Sequence, residues 1–299
     1  MYPYRDIAIT ALAPIIWGTT YYVTTEFLPN DYPITAAMLR ALPAGLFLLL
    51  IVRKLPQGHW WWKMFVLGAL NFSIFWVLLF ITAYRLPGGI AATLGAAQPI
   101  VVIFLAYLLL GNTITIKIIL AATAGVGGVA LLVLTPSGTL DFMGVIAGIG
   151  SACAMATGTV LTKKWQPPTS LLTYTAWQLT AGGILLIPLA IWLEPPLPPV
   201  SLANLMGFLW LSIIGAALSY FIWFRGLTRI NMTVASTLGF LSPTTAVVIG
   251  WLLLGETLTV LQIIGVTIVL SSIWFSQYLA QVKGKQSRTH TLNYKGESI

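Results

Sequence analysis

Apolar residues come in long continuous runs along this chain, separated by short polar connections. Ten such runs cover approximately residues 7–25, 34–53, 64–84, 89–109, 114–134, 142–163, 171–192, 204–224, 233–253 and 259–278. Each is near the roughly 20 residues that cross a bilayer as a helix, so the pattern predicts an all-α integral membrane protein of ten transmembrane helices. Barrel strands would show alternating ten-residue segments instead. The first run is too long and too poorly flanked for a cleaved signal peptide. The runs nearly tile the chain and leave no room for a soluble domain.

The second half of the pattern copies the first. Ala91 to Thr115 and Ala235 to Thr259 align without a gap at an offset of 144 and agree at 11 of 25 positions. The agreements include the Thr-Leu-Gly triplets from Thr93 and Thr237, Pro99 with Pro243, and the Leu-Leu-Leu-Gly tails. At the same offset Arg85 matches Arg229 and Trp76 faces Tyr220. Nearer each start the offset falls to 138, placing Trp17 over Met155 and Arg40 over Gln178. A period this long is a doubled half-protein, not a solenoid. Residues 1–138 form the first repeat, 139–280 the second, and 281–299 a basic tail. Five spans per repeat is an odd number, so the second repeat enters the membrane inverted. That plan places a transport site near the midplane where the repeats meet.

Composition agrees: 58% of residues are hydrophobic and 7% charged, against about 25% charged in soluble domains. The net charge of +8 fits orientation better than nucleic acid, because Lys and Arg accumulate in cytoplasmic loops. With the N-terminus inside, thirteen of the fifteen basic residues fall on the inner side, Arg85 on the outer side and Arg40 within a span. Both termini are expected in the cytoplasm, and the chain in a cell's inner (plasma) membrane. Cys153 is the one cysteine, so no internal disulfide forms.

Candidate chemistry lies within the spans. Span 1 carries Trp17 and Tyr21, four apart on one helix face, with threonines alongside. Tyr21 also suits the interfacial aromatic belt. Arg40 stands about two turns into span 2. An intramembrane charge marks a functional site unless it snorkels to Glu26 or Asp31; the sharper expectation is that it binds a substrate carboxylate. Span 3 offers Asn71 and Phe75, with Trp76 beside them. Asn71 must point into the bundle, as a site or as a bridge between helices. Gln98-Pro99 and Ser242-Pro243 sit at the middle of spans 4 and 9, where proline bends a helix and frees a carbonyl. Span 6 brings Met155 and Thr159, span 7 Trp177 and Gln178, and span 8 Ser219 and Tyr220. Spans 5 and 10, rich in small residues and lacking inward polar groups, are packing or dimer helices outside the pathway. The tail from Gln281 is expected to be disordered near anionic lipid.

Pro243, the stretch Leu252-Leu253-Leu254-Gly255-Glu256-Thr257-Leu258-Thr259, Gln262, Gly265 and Trp17-Gly18 give a layout that resembles the drug/metabolite transporter superfamily, specifically its EamA-type members. The first repeat departs from that pattern at Asn112, where glutamate is usual. The resemblance spans nearly the whole chain. It implies a central cavity among spans 1–4 and 6–9, and export of small metabolites such as amino acids. Members resembling aromatic amino-acid exporters have aromatic-rich cavities, which Trp17, Tyr21, Phe75, Trp76, Trp177 and Tyr220 would supply.

The leading expectation is an alternating-access exporter of small neutral or zwitterionic metabolites, with amino acids first. Aromatic walls would hold the apolar part, while Arg40, Asn71, Gln98 and Gln178 orient the polar part. Sugar phosphates would call for several cavity cations. Lipophilic cations, the alternative cargo, usually need an intramembrane acid, and no Asp or Glu lies well inside a run. The same shortage points to facilitated movement or exchange rather than proton coupling. A membrane-embedded enzyme is the remote alternative: His59 and His290 lie in a loop and the tail, and Cys153 has no base nearby in sequence. No metal or cofactor is expected.

Overall fold

A computed structural model of the chain describes residues 4–29, 31–85, 94–133, 141–253 and 259–296, and the described side chains exclude those of residues 21, 25, 83, 84, 277 and 280–296. The Leu254–Leu258 stretch and Thr93 therefore lie outside the described residues.

Ten helical spans follow one another. Spans 1 and 2 are Tyr4–Phe27 and Pro33–Val52. Span 3 runs Trp60–Gly68, through a π-helical turn at Ala69–Ser73, into Ile74–Arg85. Spans 4 and 5 include Gln98–Leu110 and Ile116–Val133. Spans 6 and 7 are Phe142–Lys164 and Leu171–Leu193. Span 8 is Leu202–Leu209, a π-helical stretch Trp210–Leu218, then Ser219–Arg229. Span 9 joins Met232–Leu238 to Leu241–Leu253, and span 10 is Val260–Gly296. Seven of these are long and apolar enough to cross a membrane by length and composition, and spans 4, 5 and 10 hold shorter apolar stretches.

Several starts are set by local chemistry. Asp141, Ser170 and Asn231 accept hydrogen bonds from the amides of Gly144, Thr173 and Thr233, satisfying donors that a helix N-terminus leaves free. Span 2 has no such residue of its own. Its Ile34 and Thr35 amides donate to the carboxylate of Glu194, at 2.6 and 2.7 Å, from the end of span 7.

The halves join through close crossings of backbone. A Cβ added at Gly45 would lie 2.4 Å from the Thr180 nitrogen, and one at Gly183 would lie 2.6 Å from the Leu42 Cα. Gly45 and Gly183 are equivalent at the 138-residue offset, and so are Leu42 and Thr180. Reciprocal contacts of this kind are the signature of a two-fold axis, here passing between spans 2 and 7. Gly68 meets the Gly182 nitrogen, and Gly18 meets Thr245 and the Ser242 carbonyl, each at distances only glycine tolerates.

Two expectations change. Spans 4 and 9 do not simply bend at proline: each helix breaks, at Ala97 and at Gly239–Phe240. Bonds from residue i+3 hold the breaks, as from the Ala97 amide to the Leu94 carbonyl. Pro99 and Pro243 then sit just inside the second segment, where a missing N–H costs least. The tail from Gln281 is helical through Gly296, continuing span 10.

Spans 5 and 10 pack on each other within one chain, Gly128 against the Gly265 carbonyl, with Gly125 against the Phe240 ring of span 9. Contrary to expectation span 10 does point polar groups inward: Ser272 and Ser276 are buried, and Ser272 donates to the Ala121 carbonyl.

The Gly45 crossing yields a stability test with a built-in control. Gly45→Ala should lose about 1–3 kcal/mol through overpacking. Gly127→Ala, where a Cβ meets nothing within 4 Å, should be neutral or gain about 0.5–1 kcal/mol from helix entropy. Thermal unfolding in detergent reads both.

Candidate functional site

The π-helical turns fall at equivalent places, since Ala69–Ser73 moved by 144 residues lies inside Trp210–Leu218. Such wide turns release a carbonyl from the regular ladder and recur at functional sites. Here the Gly215 carbonyl accepts from Arg40 Nη2 at 2.8 Å and from Ser219 Oγ at 2.7 Å. Ser219 Oγ in turn accepts from the Trp17 indole at 2.8 Å. The Arg40 guanidinium lies 5.0 Å from the centre of the Trp76 ring, a cation–π contact in a dry setting. Spans 1, 2, 3 and 8 are thereby tied by one polar chain.

Aromatic rings surround it. Tyr220 stands 4.9 Å from Trp17 and 4.6 Å from Phe72, Trp17 is 5.2 Å from Trp223, and Phe72 is 5.4 Å from Trp76. These separations suit edge-to-face and tilted pairing. Arg40, Trp76, Ser219 and Tyr220 are all buried, while Trp17 and Phe75 are partly so. Arg40 is therefore folded inward, 8% exposed, and not extended to the surface.

A second polar group lies across spans 3, 6 and 7. Asn71 Nδ2 donates to Gln178 Oε1 at 2.8 Å and to Thr162 Oγ1 at 3.0 Å, and the Thr162 hydroxyl donates to Gln178 Oε1 at 3.2 Å. Asn71 and Gln178 are both fully buried. The arrangement mirrors the first: Gln178 is the equivalent of Arg40, and Asn71 of Gly215. One contact is thus made twice, once with a guanidinium and once with neutral amides.

Other expected positions fall as follows. Met155 and Thr159 are buried on span 6, and the Thr159 hydroxyl has no protein partner. Gln98 and Ser242 are half-buried at the breaks of spans 4 and 9. The side chain of Tyr21 lies outside the described residues. Trp177 leaves the central group. Its indole donates to the Lys54 carbonyl at 2.6 Å, and its ring packs with Met64, Leu67 and Tyr174 toward the loop between spans 2 and 3. There it lines a shallow apolar recess with Leu49, Leu55 and Trp61. Gln178 follows it directly, and neighbouring helical residues face different ways.

Sequence reasoning missed Thr162, Phe72 and Trp223, and it missed the Gly215 carbonyl. Trp223 was findable, three residues beyond Tyr220 on one face. The carbonyl was not, because a π turn has no composition of its own.

The EamA-like transporter family model matches residues 6–134 and again 142–278. The chain belongs to this family. It is a multi-pass membrane transporter with two inverted repeats of one domain. It is 46% identical over 263 residues to Protein PecM of Dickeya dadantii, covering 87% of this chain and 88% of that one. It is 24% identical over 266 residues to the uncharacterized inner membrane transporter YedA of Escherichia coli K12, covering 87% and 86%. A solved crystal structure, 16% identical, superposes with a TM-score of 0.81 over 93% of this chain and 98% of the other, which shows the shared fold.

The amide pair is open to a double-mutant cycle. Asn71→Ala and Gln178→Ala should couple by about 0.5–2 kcal/mol, the range for hydrogen bonds between membrane helices. Additive losses of thermal stability would show that the two amides do not depend on each other.

Proposed function

We propose that this transporter moves small neutral or zwitterionic metabolites, amino acids including aromatic ones first, outward by alternating access at the cluster around Arg40. The carrying observation is the Arg40 guanidinium held between the Trp76 ring and the Gly215 carbonyl at the seam of the two repeats. A guanidinium in that setting suits a carboxylate, which it can meet with two parallel hydrogen bonds. Trp17, Tyr21, Phe75, Trp76 and Tyr220 receive the apolar part of the substrate. Asn71, Gln178, Ser219 and Thr159 orient its polar part, with Gln98 and Ser242 at the helix breaks and Met155 completing the wall. Trp177 is left out, because it packs with the recess cluster. The breaks before Pro99 and Pro243 act as hinges.

Arg40, Asn71, Trp76, Gln178, Ser219 and Tyr220 are buried, so substrate reaches them when the repeats rock apart. Movement runs down the substrate gradient or by exchange. We place both termini in the cytoplasm of a cell with the protein in its inner membrane. The basic residues Arg225, Arg229 and Lys163 gather at one end with the start of span 1, as the sided distribution of lysine and arginine requires. A homodimer through spans 5 and 10 would use their outward faces, where Leu120 and Leu261 are exposed, because the inward small residues are occupied.

Uptake of labelled neutral and aromatic amino acids into proteoliposomes tests the proposal. Arg40→Gln should lower flux about 10- to 100-fold, the loss of a charge-assisted contact, and Arg40→Lys should restore part of it. Flux should not depend on an imposed pH gradient. Flux of lipophilic cations with none of amino acids would overturn the substrate class and leave the family membership standing.

A further inference from the structure

Among the described residues ion pairs join the repeats at two places, through equivalent arginines and through aspartates that differ by three residues in register. Arg85, ending span 3, lies 3.3 Å from Asp141 at the start of span 6. Its equivalent Arg229, ending span 8, lies 3.6 Å from Asp6 at the start of span 1. Each pair therefore links the last turn of a third span to the first turn of the other repeat's first span. Inversion puts them at opposite ends of the molecule.

The two places are unequal. Asp6 also takes Arg225, at 2.7 Å, where the first repeat has Ile81. Side-chain exposure at that end is 20% for Arg225, 10% for Asp6 and 51% for Arg229, against 50% for Arg85 and 40% for Asp141, so the sheltered contact there is the one between Asp6 and Arg225. Exposed pairs are screened and contribute little, whereas a sheltered carboxylate shared by two guanidiniums is held firmly and is costly to break. Lys163 adds a further tie at the same end, donating to the Ile230 carbonyl at 2.7 Å.

We propose that these pairs are reciprocal latches of the transport cycle, with Asp6, Arg225 and Arg229 closing one end and Arg85 with Asp141 the other. Asp6 and Asp141 are positioning residues that set which end opens, and the double arginine weights the resting protein toward closure at the Asp6 end. The proposal rests on the alternating-access reading above. It adds which residues choose the side.

The test needs no substrate and no transport, so its failure is separate from any failure of the proposed cargo. Hydrogen exchange would be followed by mass spectrometry on the full chain in lipid nanodiscs. Asp6→Asn should speed exchange about five- to tenfold at residues 4–12 and 222–229, in the range of typical coupling between sites. It should also slow exchange at residues 80–85 and 141–147. Asp141→Asn should give the opposite pattern. The charge swap Asp6→Arg with Arg225→Asp should return the ends toward the wild-type balance. Arg229→Gln, which leaves the Asp6–Arg225 contact in place, should shift exchange in the same direction as Asp6→Asn and by less, and it serves if Asp6→Asn does not fold. Faster exchange confined to the mutated end, with the far end unchanged, would reduce the pairs to local clamps and overturn the proposal. So would loosening of both ends together.

Discussion

The arrangement depends on how closely the backbones of spans 2 and 7 approach at Gly45 and Gly183. Inside a bilayer no hydrophobic force draws helices together, since lipid tails are as apolar as leucine, and association relies on close packing and polar contacts. Two glycines facing main chain across a two-fold axis give that packing without a ligand or a bridge. The crossing also fixes how deep each span sits against its partner. Arg40 lies five residues before Gly45, and Gln178 five before Gly183. Each is thus presented at the same height to the π-helical region of the other repeat's third span.

Symmetry explains which contacts exist; divergence explains which of them carry chemistry. Equivalent positions pair Arg40 with Gly215 and Gln178 with Asn71. On the Arg40 side the first span adds an indole that reaches Ser219; its counterparts in the other half are Met155 and Phe75, which have no hydrogen bond to offer. One half of the seam is therefore a charged, polar and aromatic cluster, and the other a neutral group of hydrogen-bonded amides. The glycines sort in the same way. Gly158 has no room for a Cβ because the Asn71 amide would be 2.2 Å away, so this half is shaped around that amide.

Much of this was legible in the sequence. Run length gave the ten spans, and the two offsets gave the repeats and the equivalence of Arg40 with Gln178 and of Arg85 with Arg229. The rest was hidden for physical reasons. Whether Arg40 turned inward or outward depended on a carbonyl freed by a π turn, and nothing in Trp210–Leu218 announces one. Trp177 was expected in the cavity as one of its aromatic residues, but adjacent helical residues are about 100° apart, so it faces away from Gln178 and packs with Met64, Leu67 and Tyr174. Asp6 lies one residue before the first apolar run, and nothing in the runs or motifs singles it out. Its burial by Arg225 and Arg229 depends on span 8 returning to the start of span 1. The breaks in spans 4 and 9 were anticipated as bends because proline was visible and its position relative to the break was not.

Duplication offers every useful group twice, and the seam shows why the copy of Arg40 is an amide. A second guanidinium at the position of Gln178 would have found Asn71 in place of the Gly215 carbonyl. It would also have stood across the axis from Arg40 in a medium where like charges repel far more strongly than in water. Each buried cation needs its own desolvated partners. One charge with a freed carbonyl and an aromatic face satisfies that need; two would require a second set the other half lacks. A neutral amide keeps the hydrogen bond that binds spans 3 and 7 and avoids the repulsion. The inverted repeat therefore retains its symmetry in the backbone, where close packing demands it, and abandons it at the side chains that would concentrate like charge.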